Sequence, residues 1–177
     1  MQRLKYFVSG VGAITALSSA NALSYTALTT QPALAQAAYG SYIGIGPSLS
    51  LTENSAGEGR QVGGVVSVRY KLLKLPVSLR TQAFVGANTA VVPTVSYDLP
   101  LNWQTDAYLG AGVVFAGGGD TPTPVGNQTS FALQPGIDFA VPNSNTVIFG
   151  NAIIAFDAYR NGGGNAVSVQ GGIGLRF

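Results

Sequence analysis

The last segment of the chain, residues 166–177, alternates between two kinds of side chain. One set is apolar and holds Val167, Val169, Ile173, Leu175 and Phe177. The opposite set is small or polar and holds Ala166, Ser168, Gln170 and Arg176. Because successive side chains of an extended strand point to opposite faces, this pattern predicts a strand with one apolar and one polar face.

Seven earlier segments show the same period of two. The eight predicted strands cover Tyr39–Thr52, Gln61–Leu73, Val77–Ala87, Val91–Leu99, Trp103–Gly117, Thr129–Val141, Thr146–Arg160 and Ala166–Phe177. Residues typical of turns separate them, and the odd-numbered connections are mostly the longer ones. Composition does not shift between residues 36 and 177, so we predict one domain there.

Charged residues within these segments fall on the polar parity. Arg69 and Lys71, for example, lie opposite Val68, Tyr70 and Leu72. The polar sets also hold Arg80, Asp98, Asp106, Asp138 and Arg176. The seventh segment is different, because Asp157 shares its parity with Asn151 but also with Phe149 and Ile153, which leaves the faces of that strand unassigned.

The composition favours a membrane barrel over a soluble domain. Only 9% of the residues are charged, whereas a soluble surface usually has about 25–35% charged residues. Beyond the N-terminus the chain has no apolar run of the ~20 residues that a membrane-spanning helix needs. A closed barrel needs only about 10 alternating residues per crossing and pairs every strand. We therefore predict an all-β, eight-stranded antiparallel up-and-down transmembrane β-barrel.

A soluble eight-stranded barrel of the lipocalin type is the structural alternative. It would place the apolar parity inside, around a ligand cavity, and the polar parity outside. The chain has few polar residues for such an exterior, since the outer face of the last strand would then carry Ala, Ser, Gln, Gly, Gly and Arg.

With the polar parity inside, the lumen of the predicted barrel holds four cations and four anions. They are Arg69, Lys71, Arg80 and Arg176 against Asp98, Asp106, Asp138 and Asp157. An Arg or Lys that faces lipid at the midplane costs about 2–4 kcal/mol, so these charges are expected to pair inside. All of them except Asp157 map to the half of the barrel that holds the termini.

The N-terminus predicts an export signal. Arg3 and Lys5 precede an apolar stretch over residues 6–17. Two small-x-small cleavage sites follow. We favour Ala33–Ala35, which makes residues 1–35 the signal and residues 36–177 the barrel, and the alternative is cleavage after Ala22.

Removal of that signal leaves seven basic and seven acidic residues, because Arg3 and Lys5 leave with it. The basic isoelectric point of the full chain therefore gives no reason to expect nucleic-acid binding, and no cluster of Lys and Arg with interleaved aromatics points that way. The chain has no cysteine, so disulfides and thiolate chemistry are not available to it.

The final strand resembles the terminal strand of bacterial outer-membrane barrels, whose last aromatic and alternating apolar residues are read by the assembly machinery. Here Ile173, Leu175 and Phe177 carry that resemblance. With its strand count and alternation, residues 39–177 resemble the superfamily of small outer-membrane barrels that includes the OmpA transmembrane domain, OmpX and porin-family β-barrels. The resemblance implies a Gram-negative-type outer membrane, periplasmic termini, and the lipid bilayer and the assembly machinery as partners.

Enzymes exist in this architecture, among them lipid A acyltransferases and deacylases and the omptin proteases, and their catalytic sites use histidine. This chain has none. Glu53 and Glu58 could act as an acid and a base or bind a cation, but their Gly- and Ser-containing segment favours a solvated loop. Residues 117–120 contain only a single copy of a calcium-type glycine pattern. The sequence predicts no catalytic residue, cofactor or metal site.

Two functions stay open at this stage. One is a sealed, non-catalytic barrel with a structural role or a role in interactions through its loops, and the other is a narrow channel for ions or small solutes. About eight strands leave an interior that side chains can fill, which favours the sealed barrel. The inward Gly, Ala and Ser residues could leave water-filled gaps, which favours the channel. The sequence identifies no external partner.

Overall fold

The structure, a computed structural model, describes residues 40–52, 61–72, 74–117, 121–160 and 163–177. Eight strands form in these residues, as the alternating pattern predicts. They are β1 (Tyr42–Ser50), β2 (Val62–Leu72), β3 (Val77–Val85), β4 (Thr89–Pro100), β5 (Thr105–Ala116), β6 (Ser130–Ala140), β7 (Thr146–Ala155) and β8 (Ala166–Arg176).

The strands form one closed barrel in which each pairs antiparallel with its neighbours in sequence. The pairing of β1 with β8, where Tyr42 lies opposite Arg176, closes it. The predicted fold class is therefore confirmed. We call the end that holds Tyr42, Arg176 and the turns 74–76, 101–104 and 141–145 the termini end, and the opposite end, which holds the longer connections, the loop end.

Alternation assigns each strand an inner and an outer face. β4 shows it most regularly, because Val91, Val95 and Leu99 are exposed on the outside while Thr94, Ser96 and Asp98 are buried. Exposed apolar residues cover the outer surface on every strand, for example Ile45, Val62, Leu79, Leu109, Phe131, Ile148 and Ile173. This distribution is the reverse of a lipocalin-type barrel, so that alternative is excluded.

β7 ends earlier than predicted. We expected a strand as far as Arg160, but β7 stops at Ala155 and the chain turns at Phe156 and Asp157. Asp157 has a φ of 52°, the left-handed conformation that Asp adopts more readily than most residues and that a strand cannot contain. The faces of β7, which the sequence left unassigned, are now clear, because Val147, Phe149, Asn151, Ile153 and Ala155 are buried inside the barrel.

The prediction of an export signal concerns residues that precede the barrel. Residues 1–35, the predicted export signal, and the cleavage site Ala33–Ala35 fall outside the described residues, and both stay predictions. In the part of the chain that the structure describes, no helix has the length and apolar character to cross a bilayer.

Candidate functional site

The polar side chains of the inner faces meet in the termini half of the barrel. Six charged residues there form what we call the charge cluster: Arg69 and Lys71 from β2, Arg80 from β3, Asp98 from β4, Asp106 from β5 and Asp138 from β6. Three cations therefore face three anions. All six belong to the set that the parity of the sequence pointed inward.

Arg69 lies at the centre of the charge cluster, and its side chain is 0% exposed. Its Nη2 lies 2.8 Å from Oδ2 of Asp98 and 3.0 Å from Oδ2 of Asp106. Its Nη1 lies 3.0 Å from Oδ2 of Asp138, and its Nε donates a hydrogen bond to Ser78. Only a guanidinium offers so many donors in one fixed plane, so one arginine holds three carboxylates together.

Arg80 joins the same carboxylates from the neighbouring strand. Its Nη2 lies 2.9 Å from Oδ2 of Asp138 and 3.3 Å from Oδ1 of Asp98. Its guanidinium carbon sits 3.3 Å from the centre of the Tyr108 ring, in a cation–π contact. Tyr42 completes the group, since its hydroxyl donates to Oδ1 of Asp138 at 3.0 Å and accepts from Nη1 of Arg80.

Lys71 closes the charge cluster on the side of the termini end. Its ammonium lies 3.5 Å from Oδ2 of both Asp98 and Asp106, and 9% of its side chain is exposed. Asp98 also accepts a hydrogen bond from Ser78. Each carboxylate of the cluster is thus bound to at least one cation and closed to solvent, as buried charges require.

These bonds cross the lumen. Arg69 lies on β2 and Asp138 on β6, so the strands that carry them are four apart in the barrel of eight. The hydrogen bond from Tyr42 on β1 to Asp138 spans the interior as well. The charge cluster therefore connects opposite walls of the barrel at its level.

A second layer, at mid-height, is built from side-chain amides. Gln170 on β8 donates to Gln82 on β3 at 3.1 Å, again across the lumen, and it also donates to Asn151. Gln134 donates to Asn151 at 3.4 Å and accepts from Thr94 at 2.6 Å. All five side chains are buried. We call Gln82, Gln134, Asn151, Gln170 and Thr94 the amide layer.

The loop half of the lumen is mainly apolar, although Ser48, Ser50, Ser130 and Ser168 are buried there as well. Buried apolar side chains from seven strands and two connections pack there, a set we call the apolar layer: Val65, Phe84, Val92, Val114, Ala132, Ile153, Ala155, Ala166, Val125 and Ala158. Two members come from connections between strands. Val125 belongs to the β5–β6 connection and Ala158 to the β7–β8 connection, so these two connections contribute to the packing inside the barrel at this end.

The β5–β6 connection folds inward as a plug, which we define as residues 122–127; all of these residues are buried. Backbone hydrogen bonds fix the plug to the β7–β8 connection: the amides of Asn127 and Gln128 both donate to the carbonyl of Ala158, at 2.9 and 3.0 Å. The amide of Arg160 donates to Oδ1 of Asn127. The plug is therefore part of the folded interior.

Large aromatics fit inside because glycines face them. A Cβ added at Gly136 would lie 2.4 Å from the ring of Tyr108, and one added at Gly44 would lie 2.7 Å from the ring of Phe149. Such distances are too short for any side chain without a shift. Phe149 also stacks on Tyr42, with ring centres 5.9 Å apart. Inward glycines thus make room for three rings in the narrow lumen.

Of the two other predicted lumen charges, Asp157 and Arg176, one lies outside the lumen. Asp157 is exposed in the turn after β7, so the prediction that it points into the lumen is wrong. The reason is the early end of β7, which breaks the alternation before it reaches Asp157. Arg176 lies on the inward parity of β8, opposite Tyr42 at the termini end, where it is half-buried and its Nη2 donates to the carbonyl of Ser144.

Sequence reasoning did not single out the inward aromatics or the plug. Alternation alone does not distinguish an inward aromatic from one that faces lipid. Tyr42, Tyr108 and Phe149 are recognised as inward only once the strand register places their rings over glycines. For Tyr108 the sequence does contain a usable signal, because it lies two residues from Asp106 and therefore on the polar face of its segment.

Within the charge cluster, each aspartate is paired with at least one cation. Across the described residues, no group of three or more His, Cys, Asp or Glu is placed to hold a metal ion. The full chain has neither histidine nor cysteine, the side chains that most often serve as base and nucleophile near neutral pH.

Comparison with known proteins supports the fold. No family model and no curated protein matches the chain. Among solved structures it is similar to Neisserial surface protein A, NspA, with a TM-score of 0.53 and 16% identity, over 77% of this chain and 97% of that one. It is also similar to a protein from the de novo design of transmembrane β-barrels, with a TM-score of 0.52 and 10% identity, over 79% of this chain and 98% of that one.

At these identities the similarity concerns the fold alone. NspA is an eight-stranded barrel, and both neighbours are matched over nearly their whole length. The described chain likewise has eight strands, which close into a barrel with an apolar exterior. It therefore has the fold of a small transmembrane β-barrel.

Proposed function

We propose that the protein is a non-catalytic outer-membrane β-barrel with a sealed lumen, and that its role is structural or depends on interactions of its loops. The observation that carries the proposal is that side chains interact across the lumen at three levels. The charge cluster, the amide layer and the apolar layer with its plug each cross the interior.

Insertion into a bilayer is supported by the outer surface. Exposed apolar residues cover the wall, and aromatic residues stand near both ends. Tyr70, Tyr97 and Trp103 lie toward the termini end, whereas Phe115, Phe131 and Phe156 lie toward the loop end. Two aromatic girdles around an apolar band are typical of barrels that span a membrane. Strands of 9–12 residues match the about 9–11 that a tilted crossing needs.

The cellular placement extends the proposal. The export signal over residues 1–35 would direct the chain out of the cytoplasm, and the termini end would then face the periplasm, with the longer loops outside. Ile173, Leu175 and Phe177 are 62%, 63% and 76% exposed on the outer side of β8 and just beyond it. Their position suits recognition by the assembly machinery. Membership of the superfamily of OmpA and OmpX is part of this proposal.

A narrow channel is the competing function, and the packing of the lumen argues against it. An ion would have to displace the plug, part the amides and separate Arg69 from carboxylates at 2.8–3.0 Å. Because buried ion pairs are costly to separate, a path through the charge cluster would be the hardest step. The loops at the outer end then remain as the surface that could meet an external partner, which the structure does not identify.

Single-channel recording in planar bilayers tests the proposal. Heat-modifiable gel mobility and protease resistance first establish that the protein has folded and inserted. The inserted protein should then give no discrete conductance. A variant with residues 121–128 replaced by a short Gly-Ser turn should also stay closed, because the charge cluster remains. Regular conductance steps in the wild type would favour the channel and contradict a sealed lumen.

A further inference from the structure

A shallow depression lies on the termini end, at the connection between β2 and β3. It is lined by Tyr70, Lys71, Leu72, Lys74 and Leu75. Tyr70 and Leu75 are 56% and 57% exposed, and they form its apolar border. The depression thus combines lysine side chains with an apolar and aromatic margin.

The two lysines differ in their partners. Lys71 forms ion pairs with Asp98 and Asp106 in the charge cluster. Lys74 is exposed and has no ion-pair partner among the residues that the structure describes. It therefore supplies the uncompensated positive charge of the depression.

The charges outside the cluster are distributed unevenly between the two ends. At the termini end the described residues include the cations Lys74 and Arg176, while the acidic residues of that half are all buried in the charge cluster. The described residues of the connections at the loop end contain one charge of each sign, Asp157 and Arg160. The termini end is the basic end.

The surroundings place the depression at a membrane interface. Trp103 is 74% exposed in the β4–β5 turn of the same end, and Tyr97 is 54% exposed on the outer face of β4. The backbone amide of Asp98 donates to the carbonyl of Pro76, which ties the β2–β3 connection to β4. Tyrosine, tryptophan and lysine at one level are typical of the boundary between hydrocarbon and headgroups.

We propose that this depression binds the phosphate headgroup of an anionic glycerophospholipid, with Lys74 as the cation and with Tyr70 and Leu75 against the upper part of the acyl chains. The inference rests on the proposed insertion into a bilayer. A free lysine next to a surface of anionic lipid attracts it electrostatically, and the apolar margin selects a phosphate that carries acyl chains over one free in solution.

Native mass spectrometry on the protein in micelles that contain equal amounts of phosphatidylglycerol and phosphatidylcholine tests the site. The wild type should retain phosphatidylglycerol in preference to phosphatidylcholine. Lys74→Gln should lower that preference about fivefold, the effect expected of one lysine near an anionic surface. Lys74→Arg should keep the preference, because it keeps the charge. Excess inorganic phosphate should leave lipid binding unchanged, whereas competition by it would identify a simple anion site.

Arg160→Gln is the matched control, since it removes one exposed cation from the loop end. Its lipid preference should equal that of the wild type. If Lys74→Gln and Arg160→Gln gave the same result, the site would be excluded. The single tryptophan separates this failure from failure of the proposed function. Quenching of Trp103 by brominated lipids of either headgroup reports insertion, so a protein that is quenched without lipid preference overturns the site alone.

Discussion

The two halves of the lumen are filled by opposite chemistry. The termini half holds two buried arginines and the partly exposed Lys71 against three buried aspartates, whereas the loop half holds mainly valine, alanine, isoleucine and phenylalanine. Apolar packing loses stability in proportion to the atoms removed. A buried charge cluster loses much more when one member goes, because the remaining charges are left uncompensated away from water. The two halves should therefore respond differently to single substitutions.

Arg69→Met should have the largest effect. It keeps an unbranched side chain of similar length but leaves Asp98, Asp106 and Asp138 with fewer cations in a closed space. We expect a loss of about 3–5 kcal/mol in the free energy of unfolding, measured by urea titration of the protein folded in lipid vesicles.

Arg160→Met is the control for this prediction, because it removes an exposed arginine from the loop end. Its stability should stay near that of the wild type. If Arg69→Met were tolerated as well as Arg160→Met, water would reach the charge cluster and the termini half would not be dry.

Gly136→Ala should have the next largest effect. Gly136 lies near the boundary between the two halves of the lumen. The added Cβ would approach the Tyr108 ring to 2.4 Å and Cβ of Asn151 to 2.6 Å. Overpacking of this kind costs about 1–3 kcal/mol. Thermal unfolding followed by gel mobility can measure the loss.

The double substitution Gly136→Ala/Tyr108→Leu separates this clash from a general effect on β6. Removal of the ring should recover part of the loss, which gives a coupling energy between the two positions. Strict additivity of the two single substitutions would mean that Tyr108 does not occupy the space over Gly136.

Val125→Ala tests the loop half. Val125 is 0% exposed, and it belongs to the plug in the β5–β6 connection. Loss of two buried methyl groups should cost about 1–2 kcal/mol, less than the loss of Arg69. Amide hydrogen exchange should show faster exchange at Asn127 and Gln128, whose amides hold the plug to Ala158. Unchanged stability and exchange would place Val125 outside the core.

Asp157→Asn should have the smallest effect. The carboxylate is exposed in the turn after β7, and Asn adopts the same left-handed conformation as readily as Asp. The free energy of unfolding should match that of the wild type. Asp106→Asn, which removes the same charge from inside the cluster, should be clearly destabilised in the same titration. If both variants lost the same free energy of unfolding, Asp157 would lie in the lumen after all.

The sequence predicted the fold and the centre of the site because both follow from a local rule. Alternation by two placed Arg69, Arg80 and Asp138 on inward faces without any knowledge of strand register. The same rule failed at Asp157, because a local turn ended β7 five residues before the pattern predicted.

The inward aromatics and the plug could not be predicted in the same way. An inward Phe149 and an outward Ile148 are both apolar, so parity alone cannot tell which faces lipid. The deciding fact is that Phe149 packs over Gly44 on another strand, which depends on the barrel closing. The plug contains a single valine among residues typical of turns, so its sequence has no periodic pattern from which its burial could be predicted.

Accessibility of a lumen cysteine to a small, water-soluble thiol reagent tests the sealed lumen most directly, because the natural chain has no cysteine to interfere. Ser168 suits the substitution: it is 0% exposed on the inner face of β8, and its hydroxyl has no hydrogen-bond partner among the described residues. Thr129, exposed at the loop end, is the control position. In the protein folded in lipid vesicles, Thr129→Cys should be fully modified while Ser168→Cys stays unmodified until urea unfolds the barrel. Modification of both at similar rates in the folded protein would show a water-filled lumen and contradict the account.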